Sequence, residues 1–264
     1  MKIIKINESQ KKRLFEAYQQ DFSFEQLAMI ADNAFASGTD GSELQIRYCT
    51  KYLGYPFSMG SSRAVYTLSD NFVLKLAYGR MYRAGIDQNR VEYNIYNQLS
   101  SPLLPRIFHH DKNFTFLVSE SVIPCKAVDF EKLLGMPFYE TYTQNSSKIN
   151  DVDSLYGGDY EVGYNKYFDN LKGKGQTENM NFSVILSYLN NKYVRFDTSY
   201  DPNIEEVIKN NSWLTELRNL VQKTRISDLG QIDNFGIVNR NGKPMIVILD
   251  TGFNFDVLLK HYTK

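Results

Sequence analysis

The strongest constraint on the fold lies near the C-terminus, where an Asn-Gly pair separates two apolar runs, FGIV and MIVIL. Asn241 and Gly242 both tolerate the positive φ of a tight turn, so this pattern predicts a two-residue β-hairpin. Asn234 stands just before the first strand and Asp250 just after the second. Because the open ends of a hairpin lie side by side, we expect this amide and this carboxylate to be neighbours. Such oxygens suit Mg²⁺, which needs few protein ligands when phosphate oxygens complete its shell.

A further aspartate, Asp228, stands on the loop that leads from the preceding helix into this hairpin. A carboxylate in that place can accept or orient the proton of a reacting hydroxyl. Two other interpretations remain open: Asp228 and Asn234 could cap the loop, and Asp233 competes with Asp228 for the catalytic role. Asp250 ends an apolar run, where a buried carboxylate without a cation is costly, so its position favours a ligand role.

Composition narrows the class of protein without identifying it. The 264 residues suit one large domain, or two lobes with an extension. Lys plus Arg and Asp plus Glu both number 30, so the net charge is zero and nothing indicates a nucleic-acid or membrane partner. Cys49 and Cys125 match no metal-binding spacing, which favours a reduced, intracellular setting. No apolar run reaches membrane-span length and the N-terminus lacks signal-peptide features, so we expect a protein that is neither secreted nor transmembrane.

The middle of the chain has the pattern of a small sheet. RAVYTL (63–68) and FVLKLA (72–77), joined by the turn SDN, predict a hairpin. A helix is predicted over 87–99, because its apolar residues fall on one face. PRIFHH (105–110) and FTFLVSESV (114–122) predict a second hairpin. The order strand, strand, helix, strand, strand predicts a sheet with one helix packed on it.

Helices dominate on either side of this sheet. After a short N-terminal strand, three helices are predicted from capping patterns that begin at Asn7, Ser23 and Ser42; they span 8–18, 24–35 and 43–53. Further helices are predicted at 126–134, 182–193, 203–209 and 212–224. Residues 139–181, rich in Asn, Gly, Tyr and Ser, are interpreted as a long and partly irregular insertion. These elements together predict an α+β fold.

Three short motifs resemble a known family. DLGQIDN (228–234) resembles the catalytic loop of the protein-kinase-like fold, which includes the aminoglycoside phosphotransferases, and LDTGF (249–253) resembles its metal-binding segment. GSSRAVY (60–66) resembles the glycine-rich loop that covers the phosphates in that family. The resemblance covers about residues 55 to 253, and the candidate residues follow the family's order along it.

The resemblance implies a role for each matching residue. Lys75 would hold the phosphates of ATP, with Glu92 as its ion-pair partner. Asp228 would orient the acceptor hydroxyl, and Asn234 and Asp250 would hold Mg²⁺. The adenine would hydrogen-bond to backbone in the hinge between Glu120 and Val122. The residues expected to contact the nucleotide are therefore Gly60, Ser61, Ser62, Arg63, Val65, Lys75, Glu120 and Val122.

The same resemblance implies a two-lobed architecture. An N-terminal helical extension at 1–54 would precede a kinase-like N-lobe at 55–123. A reduced, helical C-lobe at 124–264 would contain the insertion at 139–181. A narrower resemblance is carried by GSSRAVYTLSDNFVLKLA and AGIDQNRVE, which are similar to small kinase-like proteins encoded by bacteriophages. It implies a place in the cytoplasm of the host cell or in the virion.

Departures from the family pattern leave several functions open. Gly60 is the one glycine of the loop, and Arg63 stands about where a third glycine is usual. We also expect no activation segment of the kind that docks peptide substrates. We expect an ATP- and Mg²⁺-dependent phosphotransferase whose acceptor, protein or small molecule, is unknown. One alternative is a pseudokinase or phage virion protein that uses the fold to bind nucleotide or other virion proteins. Another is a protein nucleotidyltransferase.

Overall fold

The computed structural model describes residues 22–136, 138, 181–198, 200–227, 229–230 and 232–263. Four predictions lie outside these residues. They are the N-terminal strand, the helix over 8–18, the insertion over 139–181 except its last residue, and the placement of Asp228.

The first layer is an antiparallel sheet of five strands. Its strands are β1 (Ser58–Met59), β2 (Arg63–Ser69), β3 (Phe72–Ala77), β4 (Ile107–His110) and β5 (Phe116–Glu120). They lie in the order β1-β2-β3-β5-β4, so each predicted hairpin forms and β3 pairs with β5 between them. Lys75 sits at the centre of this sheet, opposite Val65 on one side and Leu117 on the other.

Helices pack on this sheet and complete its core. Two precede it, α1 (Phe24–Ala36) and α2 (Ser42–Leu53), and α3 (Tyr82–Gln98) crosses it between the two hairpins. The side chains of α1 and α2 share one buried cluster with the strands, including Leu27 and Cys49. The buried amide of Gln45 ties three elements together, because it donates to Leu27 O and Thr115 Oγ1 and accepts from the Tyr82 hydroxyl.

The second layer is a three-stranded sheet with helices around it. The strands are β6 (Ile123–Pro124), β7 (Phe235–Arg240) and β8 (Lys243–Ile248), in the order β6-β7-β8. The helices are α4 (Ala127–Leu134), α5 (Phe182–Leu189), α6 (Pro202–Asn210), α7 (Ser212–Thr224) and α8 (Phe255–His261). A π-helical turn, Asn190–Val194, extends α5. Buried aromatic rings of Phe130, Phe138, Phe182 and Phe235 pack together at its centre.

The tight turn at 241–242 is confirmed. Asn241 has φ 55° and Gly242 has φ 76°, the two positive values that a type I′ hairpin requires. The turn joins β7 to β8 in full register from Phe235–Ile248 to Arg240–Lys243. The predicted α+β class is also confirmed, because the described residues form helices together with an antiparallel five-stranded sheet and a three-stranded sheet.

Two local predictions were wrong. Helix α3 begins at Tyr82 rather than at 87, so Gly85 lies within the helix, at a close contact where a Cβ would stand 2.3 Å from Ser62 O. Ser42 does not cap α2; Gly41 does, in the left-handed region, and the Ser42 hydroxyl bonds to Asp40 instead. Helix α8 was not predicted at all. Among the described residues, no helix is long and apolar enough to cross a membrane.

Replacing Gln45 by alanine should lower the free energy of unfolding by roughly 1–3 kcal/mol, because the Tyr82 hydroxyl and Thr115 lose a buried partner. The exposed Gln98→Ala on α3 is the control and should change it by less than about 0.5 kcal/mol. Urea unfolding followed by circular dichroism measures both. Equal midpoints for the two variants would mean that α1 and α2 are not integral to this core.

Candidate functional site

A cavity of about 670 Å³ lies between the five-stranded sheet and the open end of the β7–β8 hairpin. Its wall brings together residues from distant parts of the sequence, including all the predicted nucleotide-contacting and metal-binding residues. These are Gly60, Ser61, Ser62, Arg63, Val65, Lys75, Glu120, Val122, Asn234 and Asp250. Asp233, the competing loop aspartate, also lines the cavity, with an exposed side chain. Asp228 lies outside the described residues.

Lys75 and Glu92 form an ion pair at the back of the cavity. Lys75 Nζ lies 2.5 Å from Glu92 Oε1, and the side chains are 8% and 2% exposed. The strand and the helix position them, because β3 places Lys75 on the inner face of the sheet and α3 crosses that face. Lys75 also donates to Leu249 O at 2.7 Å, which ties the sheet to the residue before Asp250.

Arg63 bridges two carboxylates at the same place. Its guanidinium lies 2.8 Å from Glu92 Oε2 and 2.6 Å from Asp250 Oδ1, and it also donates to Asn89 Oδ1. The contact with Asp250 is an ion pair rather than an aligned hydrogen bond, since Oδ1 is buried without a hydrogen-bond partner among the described residues. Sequence reasoning placed Arg63 against phosphate. The structure places it on the wall of the cavity, held between two acidic side chains.

Two cations and two anions therefore balance in one cluster, in which Arg63, Lys75 and Glu92 are buried and the Asp250 side chain is 32% exposed. Burial raises the pKa of Asp250, but the charges of Arg63 and Lys75 outweigh it and hold that pKa below its ordinary value. Burial likewise opposes the charge of Arg63, whereas Asp250 and Glu92 raise its pKa. Ionised Asp250 thus stabilises the fold above the pKa of its unfolded form, and this contribution is lost as the pH falls through the folded value.

Asn234 and Asp250 stand at the two open ends of the hairpin, as the sequence predicts. The Leu249 N–H donates to Asn234 O at 2.8 Å, which extends the β7–β8 ladder by one bond and aligns the two ends. Among the described residues, no group of three or more His, Cys, Asp and Glu side chains could hold a metal. One carboxylate and one amide fit Mg²⁺ only when phosphate oxygens supply further ligands. The buried Asp250 Oδ1 without a hydrogen bond is the atom that such an ion would satisfy.

The hinge end of the cavity is held by another ion pair. Arg240 on β7 lies 2.6 Å from Glu120 Oε2, and it also donates to Leu104 O. The Glu120 side chain is thus paired with Arg240, and Glu120 still lines the cavity. Val122 packs against Gly236, where a Cβ would stand 2.4 Å from Val122 Cγ1. Gly236 therefore lets the hinge lie directly on the hairpin.

Sequence reasoning missed Gln88 and Tyr262, which line the cavity away from Glu120. The Tyr262 hydroxyl after α8 bonds to Gln88 Nε2 at 3.1 Å and to Ser61 Oγ at 3.3 Å. Ser62 in turn donates to Gln88 Oε1. Gly252 is required by close packing, since a Cβ there would stand 2.3 Å from Gln88 O. No local pattern signals these contacts, because each joins segments far apart in sequence.

The chain was also compared with known proteins. Neither protein-family models nor curated proteins give a match to it. An assignment of this cavity accordingly rests on the residues that line it and on their contacts.

Replacing Glu92 by glutamine should lower the free energy of unfolding by roughly 3–5 kcal/mol, because it removes the shared partner of two buried cations. Glu131→Gln, at an exposed position of α4, is the control for the same chemical change. Denaturant midpoints at neutral pH measure the difference. A Glu92→Gln variant as stable as Glu131→Gln would show that the cluster contributes little to the fold.

Proposed function

We propose that the cavity binds a nucleoside triphosphate together with Mg²⁺ and that the protein transfers a phosphoryl group to an acceptor. The observation that carries this proposal is the Lys75–Glu92 ion pair, whose Lys75 lines the same cavity as Asp250 and Asn234. A fixed cation on one wall and oxygen ligands on the other suit a polyphosphate between them. The protein-kinase-like resemblance of the motifs supports the same conclusion.

The size and lining of the cavity suit the rest of a nucleotide. Its volume of about 670 Å³ lies within the range of small-molecule sites, roughly 300–1,000 Å³. Val65, Val73 and Val122 give it an apolar part that would take a purine ring. Lys75, which pairs with Val65 across β2 and β3, would donate to the phosphates.

Each of these residues would have a separate role that follows from its position in the cavity. Asp250 and Asn234 would hold Mg²⁺, which neutralises phosphate charge when it is bound. Glu92 would keep Lys75 extended towards the phosphates. Asp228, or Asp233 as its competitor, would accept or orient the proton of the acceptor hydroxyl. Such sites act mostly by positioning and by charge neutralisation.

One observation favours a second candidate, a protein that binds nucleotide without transferring phosphate. Arg63 already neutralises Asp250, the residue on which metal-dependent transfer depends. In that case the fold would serve as a binding component, such as a pseudokinase or a phage virion protein. Purified protein incubated with γ-labelled and with α-labelled ATP separates the candidates. Label from the γ position on an acceptor supports phosphoryl transfer, label from the α position indicates nucleotidyl transfer, and no label in either case favours binding alone.

Nucleotide binding should be visible as stabilisation. ATP with Mg²⁺ at about 100 times its Kd should raise the free energy of unfolding by roughly 2.7 kcal/mol. Lys75→Met should remove most of this gain, because the buried ammonium that would contact the phosphates is lost. Lys243→Met, at an exposed position in β8, is the matched control and should keep it. If ATP, GTP and ADP leave the melting temperature unchanged with Mg²⁺ and with Mn²⁺, the cavity is not a nucleotide site.

The two catalytic aspartates should give different phenotypes. Asp250→Ala should abolish metal-dependent nucleotide binding and transfer together, because it removes the carboxylate ligand. Asp228→Ala should keep nucleotide binding and slow transfer by a factor of ~10²–10⁴ if Asp228 is the general base. Calorimetry and single-turnover labelling measure the two properties separately. Normal transfer by Asp228→Ala with loss in Asp233→Ala would move the role to Asp233.

A further inference from the structure

Arg63 pairs with Oδ1 of Asp250, one of the two oxygens of the carboxylate that a metal would use. Its guanidinium stands 2.6 Å from the buried Oδ1 atom, and its other contacts, to Glu92 and Asn89, hold it in position. The side chain is 8% exposed, so water weakens these contacts little. A divalent cation that approached Oδ1 would therefore meet a positive charge held in front of it.

The charges of the cluster also oppose a metal that arrives alone. Arg63 and Lys75 already balance Glu92 and Asp250, so an added divalent ion would leave an excess of positive charge next to a carboxylate that is 32% exposed and beside two buried cations. Two like charges a few ångströms apart repel strongly at the low effective dielectric of such a place. Asp250 and Asn234 supply too few ligands to offset this cost.

A bound polyphosphate would change both the excess of positive charge and the shortage of metal ligands. It brings negative charge and further oxygen ligands, and it presents acceptors to a guanidinium that lies on the cavity wall. Arginine binds phosphate well because its planar fork can donate two hydrogen bonds. Arg63 could then exchange Asp250 for a phosphate, and Asp250 would become available to the metal.

We propose that Arg63 competes with the divalent cation for Asp250, so that metal and nucleotide bind only together. This inference rests on the proposed function, because it assigns a control step to the same site. Arg63 acts here as a positioning residue: it keeps Asp250 neutralised and the cluster closed until phosphate replaces the carboxylate as its partner.

The test measures metal binding without nucleotide. Mn²⁺ is titrated into the full chain, and free Mn²⁺ is followed by electron paramagnetic resonance. The parent protein should bind Mn²⁺ weakly at this site, whereas Arg63→Met should bind it at least about tenfold more tightly. The double variant Arg63→Met with Asp250→Ala should lose this gain, which locates the ion at Asp250.

Arg240→Met is the matched control, because it removes another arginine that pairs with a carboxylate at the wall of the same cavity, again at 2.6 Å. It should leave Mn²⁺ affinity unchanged, and an equal gain in both variants would overturn the proposal. Near-ultraviolet circular dichroism establishes that each variant is folded. If Arg63→Met does not fold, Arg63→Lys takes its place, since one ammonium cannot reach both carboxylates as the guanidinium fork does. It should bind Mn²⁺ more tightly than the parent.

The outcomes separate this inference from the proposed function. If the parent binds ATP with Mg²⁺ but Arg63→Met gains no affinity for Mn²⁺, the competition is refuted and the nucleotide site stands. If Arg63→Met gains affinity for Mn²⁺ but neither protein binds nucleotide, the competition at Asp250 stands and the nucleotide site is refuted. Tight binding of Mn²⁺ alone by the parent refutes the competition directly.

Discussion

Glu92 is the group on which the rest of the site depends. Its buried carboxylate forms ion pairs with Lys75 from β3 and with Arg63 from β2. A single side chain of α3 therefore sets the position of two cations. Lys75 and Arg63 then reach the β7–β8 side of the cavity through Leu249 and Asp250. The same four charges therefore connect the five-stranded sheet, α3 and the segment that follows β8. An electrostatic network of this kind stays favourable only while every member keeps its partner.

Close backbone contacts make this charge cluster possible. Gly85 lets α3 approach the loop that holds Ser62, and Gly252 lets the segment after Asp250 approach Gln88 on the same helix. The helix is thus packed between the loop that holds Ser62 and the segment that follows Asp250. A shift of α3 would move Glu92 relative to Lys75 and Arg63, which stand on the sheet, so the spacing of the cluster depends on the packing of the helix.

Much of this architecture could be read from local patterns. The β7–β8 hairpin was predictable because Asn241 and Gly242 suit a turn that few other residues tolerate, and the two hairpins of the first sheet were predictable from their strand and turn patterns. The motifs that carry the resemblance led to Lys75, Asn234 and Asp250, which line one cavity, and to Glu92, which pairs with Lys75. What could not be predicted depends on contacts between distant segments. The inward path of Arg63, the role of Gly252 and the place of Tyr262 follow from how the helix packs, which no short stretch of sequence encodes.

Residues that meet at the cavity lie far apart in the sequence, and this separation delays formation of the cavity during synthesis. Lys75 meets Leu249, 174 positions later, and Ser61 meets Tyr262, 201 positions later. A nascent chain that has exposed only the five-stranded sheet and α3 would carry Glu92 and two cations, still without Asp250. Contacts of such long range form late, because the entropy of closing the loop must be met first. The site is therefore assembled after most of the polypeptide has left the ribosome, and a prematurely terminated chain would retain the sheet but lack a functioning cavity.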